Sequence, residues 1–204
     1  MLKKFASIIS TVFSPLLVPT YAVWLALSVT VLAAAPAADR LKVVLGVFLL
    51  TCLMPALLIV AMWKLGFVSE PGLNKRTERT IPYLITIAGY VLAAFFLVRV
   101  NAPLWLTAFL GGAALAALIS MIVNRWWIIS AHMAGGGGLL GLVSAIAVGP
   151  WTITPMIWWV AAAVLVCGLT GTARLILHRH TLAQVAAGFV NGLLCVMVPA
   201  LLLI

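Results

Sequence analysis

The sequence predicts an all-α fold, a polytopic transmembrane bundle of about six to seven spanning helices. Of its 204 residues, 66% are hydrophobic and only 7% are charged, and the mean hydropathy is +1.29. The apolar residues fall in runs of about 17 to 25, the length that crosses a hydrocarbon core. So few polar residues could not cover this much apolar surface in water. We therefore interpret residues 1–204 as a single integral membrane domain whose first partner is the lipid bilayer.

Seven apolar segments follow one another along the chain, separated by short polar stretches. They are residues 13–35, 42–63, 81–98, 103–123, 134–149, 153–171 and 182–203. None of the connecting stretches has the length or composition of a soluble domain or a flexible linker. The segments therefore predict one bundle with short loops.

The N-terminus resembles a signal peptide in having a basic start and an apolar continuation. It has no small-residue cleavage site before the apolar run continues, so we predict a retained anchor. Residues 1–12 should begin as an interfacial helix, because five apolar side chains share one helical face: Leu2, Phe5, Ile8, Ile9 and Val12. Pro15 and Pro19 should kink the segment that follows.

The charge balance is strongly basic, with 12 Lys and Arg against 3 Asp and Glu and a net charge of +9. We predict no nucleic-acid partner, because no soluble domain is present to offer a basic face. The cations can lie at headgroup level, set the topology in cytoplasmic loops, or bind an anionic ligand. The three cysteines, at positions 52, 167 and 195, lie in apolar segments. Their spacing fits no metal site, so we predict no metal or other cofactor and treat them as small core residues.

Most of the polar residues lie in three loops, residues 64–82, 124–132 and 172–184. Two apolar segments separate each of these loops from the next, so all three should emerge on the same side of the membrane. Within residues 75–79, 125–132 and 174–180 of these loops lie nine cationic or imidazole side chains and one acid, Glu78: Lys75, Arg76, Arg79, Arg125, His132, Arg174, His178, Arg179 and His180. Clustered cations repel one another, so an anion should stabilise them, and a phosphate matches the donors of Arg and Lys. His132 and His180 would supply a nucleophile and a general acid.

The three loops resemble the motifs of the type-2 phosphatidic acid phosphatase superfamily of membrane lipid phosphatases, K-x6-R-P, P-S-G-H and S-R-x5-H-x3-D. The third motif matches best, with Arg174, then His180 after five residues, and Gln184 where the family has Asp. The second is Ile-Ser-Ala-His at 129–132, and the first is Lys-Arg-Thr-Glu-Arg-Thr-Ile-Pro at 75–82. The likeness covers residues 75–188. It divides the chain into an N-terminal anchor and hairpin, 1–63, and a phosphatase-like core, 64–204.

The resemblance implies a role for each matching residue. His180 would attack phosphorus and form a phosphohistidine, and His132 would protonate the leaving lipid alcohol. The phosphoryl oxygens would be neutralised by Lys75, Arg79, Ser130 and Arg174, which is the electrostatic contribution that usually dominates phosphoryl transfer. No metal is required in this scheme.

Gln184 departs from the family pattern. On a helix it lies one turn from His180 on the same face, where its oxygen can accept the ring N–H and hold the tautomer. An amide cannot offset imidazolium charge as a carboxylate does. The replacement leaves three interpretations open: a slow enzyme, one that uses Glu78 as the acid, or a binding protein.

Several other residues have a structural interpretation. His178 should point away from the face of His180, and Arg179 and Arg125 should lie at headgroup level. The glycine-rich run 134–141 lacks the ending of a phosphate loop and no strand precedes it. Its small residues predict close helix packing instead.

The positive-inside count does not decide the orientation, because most of the Lys and Arg on the loop-rich side are assigned to the ligand. The resemblance implies a bacterial inner (cytoplasmic) membrane with the active site on its periplasmic face. The implied substrates are phosphatidic acid, phosphatidylglycerol phosphate, polyprenyl (pyro)phosphate and lipid A phosphate. Two other functions remain open at this point: transfer of a phosphoryl or headgroup between lipids, and non-catalytic binding or transport of a lipid phosphate.

Overall fold

The computed structural model describes residues 1–70, 72 and 75–203, and within them it is an all-α bundle, as the sequence predicts. The α-helices are α1 (Leu2–Val12), α2 (Val18–Val29), α3 (Ala37–Phe48), α4 (Met54–Lys64), α5 (Thr80–Arg99), α6 (Leu104–Val123), α7 (Ala131–Val148), α8 (Ile157–Ile176) and α9 (Leu182–Leu201). A π-helical turn, Leu49–Leu53, joins α3 and α4 into one continuous helix. Short 3-10 turns at Val31–Ala34 and Arg76–Glu78 precede α3 and α5.

Six helices in the described part of the chain are long and apolar enough to cross a membrane. They are Ala37–Lys64, Arg76–Arg99, Leu104–Val123, Ala131–Val148, Ile157–Ile176 and Leu182–Leu201. The chain is therefore a multi-pass membrane protein. Its apolar exposed side chains, such as Leu57, Phe95 and Leu165, face outward as they do in a helix surrounded by lipid.

The first predicted apolar segment, 13–35, is not one spanning helix. A turn at 13–17 separates α1 from α2, and α2 has only 12 residues, about 18 Å of helix against a hydrocarbon core of about 30 Å. Pro15 and Pro19 explain the break, since each lacks the N–H that would continue the helix. Pro15 lies against Gly135 near the start of α7, and Thr30, just after α2, forms an isolated antiparallel bridge with Thr152.

Neighbouring helices satisfy the carbonyl groups that the break leaves free. The Tyr90 hydroxyl of α5 donates to the Pro15 carbonyl at 2.8 Å, and the Thr51 hydroxyl in the π-helical turn lies 3.5 Å from the Leu16 carbonyl. Irregular backbone within a bilayer must find its partners inside the protein. The break is therefore part of the packed bundle.

The bundle is tightest between α7 and α9. A Cβ added at Gly137 would collide with the Phe189 carbonyl, and one at Gly192 would collide with the Ala134 carbonyl. The glycine-rich run of α7 therefore serves helix packing, which confirms the interpretation from the sequence.

The three polar loops lie at the same end of the bundle, as their parity predicts. Arg76 of the first loop donates from Nη1 to the Arg125 carbonyl of the second at 2.6 Å, and the Asn124 side chain donates back to the Arg76 carbonyl at 3.0 Å. The second and third loops join where the Ser130 N–H donates to the Gln184 carbonyl at 3.1 Å. Backbone and side-chain hydrogen bonds therefore join the three loops to one another.

Candidate functional site

A cavity of about 270 Å³ opens at the end of the bundle where the loops meet. Four predicted site residues line it: Arg79, His132, Arg174 and His180. None of the described residues that line the cavity is acidic. The four groups come from three separate loops, so the fold brings together residues that lie up to about 100 positions apart, from Arg79 to His180.

The cavity continues from this polar mouth into the apolar interior of the bundle. One face of α5 lines it from Arg79 to Tyr90, a length of about 16 Å. On α6 the lining side chains are small over two turns and end at an aromatic ring: Ser120, Ala117, Ala116, Ala113 and Phe109. The cavity thus has the form of a charged head site with a hydrocarbon-lined extension.

Gln184 fixes the orientation of His180. Thr181 caps α9, with its hydroxyl accepting the Gln184 N–H at 3.4 Å, and the Gln184 Oε1 accepts the Thr181 N–H at 3.1 Å. The same Oε1 lies 3.2 Å from Nδ1 of His180. Because Oε1 is an acceptor in both contacts, His180 must carry its proton on Nδ1 and leave Nε2 as the unprotonated nitrogen. The predicted one-turn contact is confirmed.

His180 is neutral at physiological pH. Burial and the nearby Arg174 guanidinium lower its pKa to about 4, against the opposing effect of the hydrogen bond to Gln184. Arg79 and Arg179 lower the pKa further. A neutral ring with a bare Nε2 is the form that can act as a nucleophile.

A Schellman motif at the end of α8 presents His180 to the cavity. The His178 N–H donates to the Leu175 carbonyl at 2.9 Å and the Arg179 N–H donates to the Arg174 carbonyl at 3.1 Å. His178 occupies the left-handed position of the motif, with φ of 52°, where glycine is usual. Its side chain is exposed, as is that of Arg179, and neither lines the cavity. The prediction that His178 points away from the site is confirmed.

His132 and Arg174 both contact Ser10 of α1, a residue that the sequence analysis did not single out. His132 Nε2 lies 3.0 Å from the Ser10 carbonyl oxygen, and Arg174 Nη1 donates to the Ser10 hydroxyl at 3.0 Å. The Arg174 Nε is buried and has no hydrogen-bond partner among the described residues. A buried guanidinium donor without a partner favours an anion as its acceptor.

Two predicted phosphate ligands lie elsewhere. Lys75 pairs with Glu78 at 3.4 Å, its side chain is 64% exposed, and it does not line the cavity. Ser130 is fully buried, and its hydroxyl accepts the Met133 N–H at 3.4 Å as the cap of α7. Ser130 therefore supports the helix N-terminus on which His132 lies, and Lys75 is left out of the phosphate site proposed below.

Arg125 lies on the exposed loop and contributes its carbonyl, rather than its guanidinium, to the contact between loops. Arg79, by contrast, immediately precedes α5 and is half-buried at the cavity wall. Among the residues that the structure describes, no group of three His, Cys, Asp or Glu side chains is placed to hold a metal ion.

Comparison with protein-family models, with curated proteins and with solved structures finds no match to this chain.

Proposed function

We propose that the protein is a membrane-embedded lipid phosphatase that hydrolyses a phosphomonoester or pyrophosphate through a phosphohistidine on His180. The observation that carries the proposal is one cavity lined by two arginines and two histidines from three loops, with an apolar extension beyond them. The resemblance of the loops to the type-2 phosphatidic acid phosphatase motifs supports the same chemistry.

The proposed reaction has two steps. A phosphomonoester that binds as its monoanion passes its proton to Nδ1 of His132. Nε2 of His180 then forms a bond to phosphorus while the phosphorus–oxygen bond to the lipid breaks, and Nδ1 of His132 donates that proton to the departing alkoxide. A water molecule then attacks the phosphohistidine, His132 takes a proton from it, and inorganic phosphate leaves as the nitrogen–phosphorus bond breaks. Arg79 and Arg174 stabilise the negative charge on the phosphoryl oxygens in both steps.

The apolar extension supports a lipid as the substrate. Small side chains on α6 and glycines on α7 leave room between α5, α6 and α7, and a hydrocarbon chain is the natural occupant of such a space in a bilayer. A water-soluble phosphate ester would leave this space unused. We therefore place the phosphate at the loops and a hydrocarbon chain among the helices.

We further propose a bacterial inner membrane with the site on its periplasmic face, which rests on the resemblance alone. Cysteine substitutions at the exposed positions Arg125 and Arg179, in a background lacking native cysteines, should react with a membrane-impermeant maleimide added to spheroplasts. Labelling only after lysis would place the site in the cytoplasm.

Phosphate release is the direct test. Purified protein in detergent or vesicles should release phosphate from at least one of several lipid phosphates, and vanadate should inhibit the release. Acid-labile, base-stable ³²P should appear on the wild-type protein and be missing from His180→Ala. Release without any labelled intermediate would contradict the phosphohistidine.

One alternative is favoured by a specific residue, Gln184. An amide beside His180 orients the ring without offsetting imidazolium charge, which suits a non-catalytic lipid-phosphate binder or transporter as well as a slow enzyme. Wild-type protein that binds vanadate but releases no phosphate, together with a Gln184→Asp variant that is also inactive, would favour the binder. Release that requires an added lipid alcohol would indicate a transferase.

A further inference from the structure

Helix α1 reaches the candidate site although it lies outside the residues that carry the motifs. It packs on α8, with one face exposed at Leu2, Phe5 and Ile8. Its opposite face is buried at Ala6 and Ser10, where Ser10 is 7% exposed. Helix α1 thus places one polar residue, Ser10, in a buried environment, where a hydrogen bond is electrostatically stronger than it would be in water.

The hydroxyl of Ser10 holds the guanidinium of Arg174. Its contact with Nη1 is 3.0 Å long, and among the described residues that line the cavity there is no carboxylate to orient Arg174 instead. With Nη1 occupied by Ser10, the buried Nε remains a donor without a partner in the described part of the chain. The Ser10 hydroxyl therefore determines which N–H groups of the Arg174 guanidinium remain free to bind an anion.

The carbonyl of Ser10 fixes the tautomer of His132. A backbone carbonyl can only accept, so Nε2 of His132, 3.0 Å away, must carry a proton. The nitrogen left to exchange protons with a bound molecule is then Nδ1. His180 has the opposite tautomer, because its contact with Gln184 Oε1 requires the proton on Nδ1.

We propose that Ser10 is the positioning residue of the site, its hydroxyl orienting Arg174 towards a bound phosphate and its carbonyl holding His132 as the Nε2–H tautomer. The proposal rests on the proposed function for the identity of the ligand. The charged and titratable groups around the two side chains are Arg79 before α5, His180 before α9, and Arg179 in the loop after α8. All of them lie on elements other than α1, so α1 contributes only neutral partners.

The first test measures binding of vanadate, a phosphate analogue, by calorimetry with purified full-length variants. Ser10→Ala should weaken vanadate binding about tenfold, the usual effect of one hydrogen bond to a charged group, and Ser10→Thr should restore it. Ser7→Ala, an exposed serine one turn away on the same helix, should bind as the wild type does. Equal binding by Ser10→Ala and Ser7→Ala would overturn the role of the hydroxyl.

A double-mutant comparison separates positioning from a general loss of structure. In an Arg174→Lys background, Ser10→Ala should weaken binding by less than twofold, because the group that it orients has gone. The same tenfold loss in both backgrounds would show that Ser10 acts through the fold and would overturn the proposal.

The second test reads the tautomers by NMR of the ¹⁵N-histidine-labelled protein, which has three histidines. His132 should show protonated Nε2 with bare Nδ1, and His180 should show the opposite, with His178→Gly used for assignment. Protonated Nδ1 on neutral His132 would overturn the role of the carbonyl. Neither the tautomer measurement nor vanadate binding depends on turnover. A protein that passes both tests but releases no phosphate would therefore refute the proposed phosphatase activity and leave the positioning role of Ser10 standing. A wild type that binds no vanadate refutes both.

Discussion

The two ends of the bundle are closed by different kinds of contact. At the site end, the three loops are joined by hydrogen bonds among Arg76, Asn124 and Ser130, and ionisable groups are buried beneath them. At the opposite end, Trp105 and Trp151 stack with their ring centroids 5.0 Å apart, beside the bridge between Thr30 and Thr152. The opposite end is therefore closed by an aromatic stack and by the backbone hydrogen bonds of the bridge, whereas the contacts between loops at the site end also involve a charged side chain.

Cations occur at both ends, but only some of them meet a cavity. Arg99 lies over the Phe95 ring, 5.1 Å from its centroid, and Lys42 pairs with Asp39 on the exposed surface. Among the described residues, Arg40 and Arg174 each have a buried Nε without a hydrogen-bond partner, and of these two only Arg174 lines the cavity. The position of a cation at the cavity therefore distinguishes a candidate binding group, whereas the number of cations and the burial of one nitrogen do not.

The largest expected effect is the loss of activity on removing the nucleophile. His180→Ala should lower kcat by about 10⁴-fold or more, because no other ring at the site has a bare Nε2 in place. His178→Gly should retain wild-type phosphate release, since glycine suits the left-handed position and the native side chain lies outside the cavity. Equal loss in both variants would show that the other imidazole does the chemistry.

The second largest expected effect is on kcat/KM and compares Arg174, which lines the cavity, with Arg99, which does not. Arg174→Ala should lower kcat/KM by about 10²- to 10³-fold, as expected when a donor to developing charge is removed. Arg99→Ala, at the opposite end, should leave kcat/KM within twofold of the wild-type value. The comparison between the two ends fails if Arg99→Ala is equally damaging.

A smaller effect concerns pH. The pKa of His180, lowered to about 4, should keep the nucleophile neutral, so this group should not reduce kcat/KM until the pH falls towards 4. Gln184→Asp places a carboxylate beside the ring, stabilises the imidazolium and raises that pKa by about one to three units. The acid limb of the profile should therefore move to higher pH, and the ring resonances of His180 should titrate with it. An unshifted limb would show that residue 184 does not control the nucleophile.

The smallest effect on activity should come from the stack at the opposite end. Trp151→Ala removes half of the aromatic pair and should lower the free energy of unfolding by about 2 kcal/mol while KM stays unchanged. Trp158→Ala, whose side chain is 77% exposed at the same end of α8, should alter neither quantity. Thermal unfolding and initial rates measure the two. A raised KM in Trp151→Ala would link the two ends of the bundle.

Features that depend on local spacing could be predicted from the sequence. The spans follow from hydropathy, the shared face of the loops follows from counting segments, and the contact between His180 and Gln184 follows from a separation of four residues at the start of a helix. The glycine-rich run of α7 likewise indicated packing. Each of these predictions requires only the residues of one helix or loop, or a count of the membrane crossings.

Features that depend on tertiary contacts could not be predicted. Ser10 is one of several hydroxyl residues on an amphipathic helix, and nothing in its neighbourhood shows that it meets residues 122 and 164 positions further on. Lys75 fitted the first motif, and only the packing of the loops shows that it lies outside the cavity, where it pairs with Glu78. Pro15 and Pro19 were expected to kink the first apolar segment, but hydropathy, which measures composition, does not show that the helix after the kink has only 12 residues.

The break between α1 and α2 has a consequence for biogenesis. The carbonyl groups of residues 15 and 16 can enter the hydrocarbon core only when the hydroxyls of Tyr90 and Thr51 donate hydrogen bonds to them. Residues 13–17, which are translated before α5, should thus stay at the lipid surface until α5 has been inserted. Protection of this turn from an added protease should then appear only after α5 has been translated.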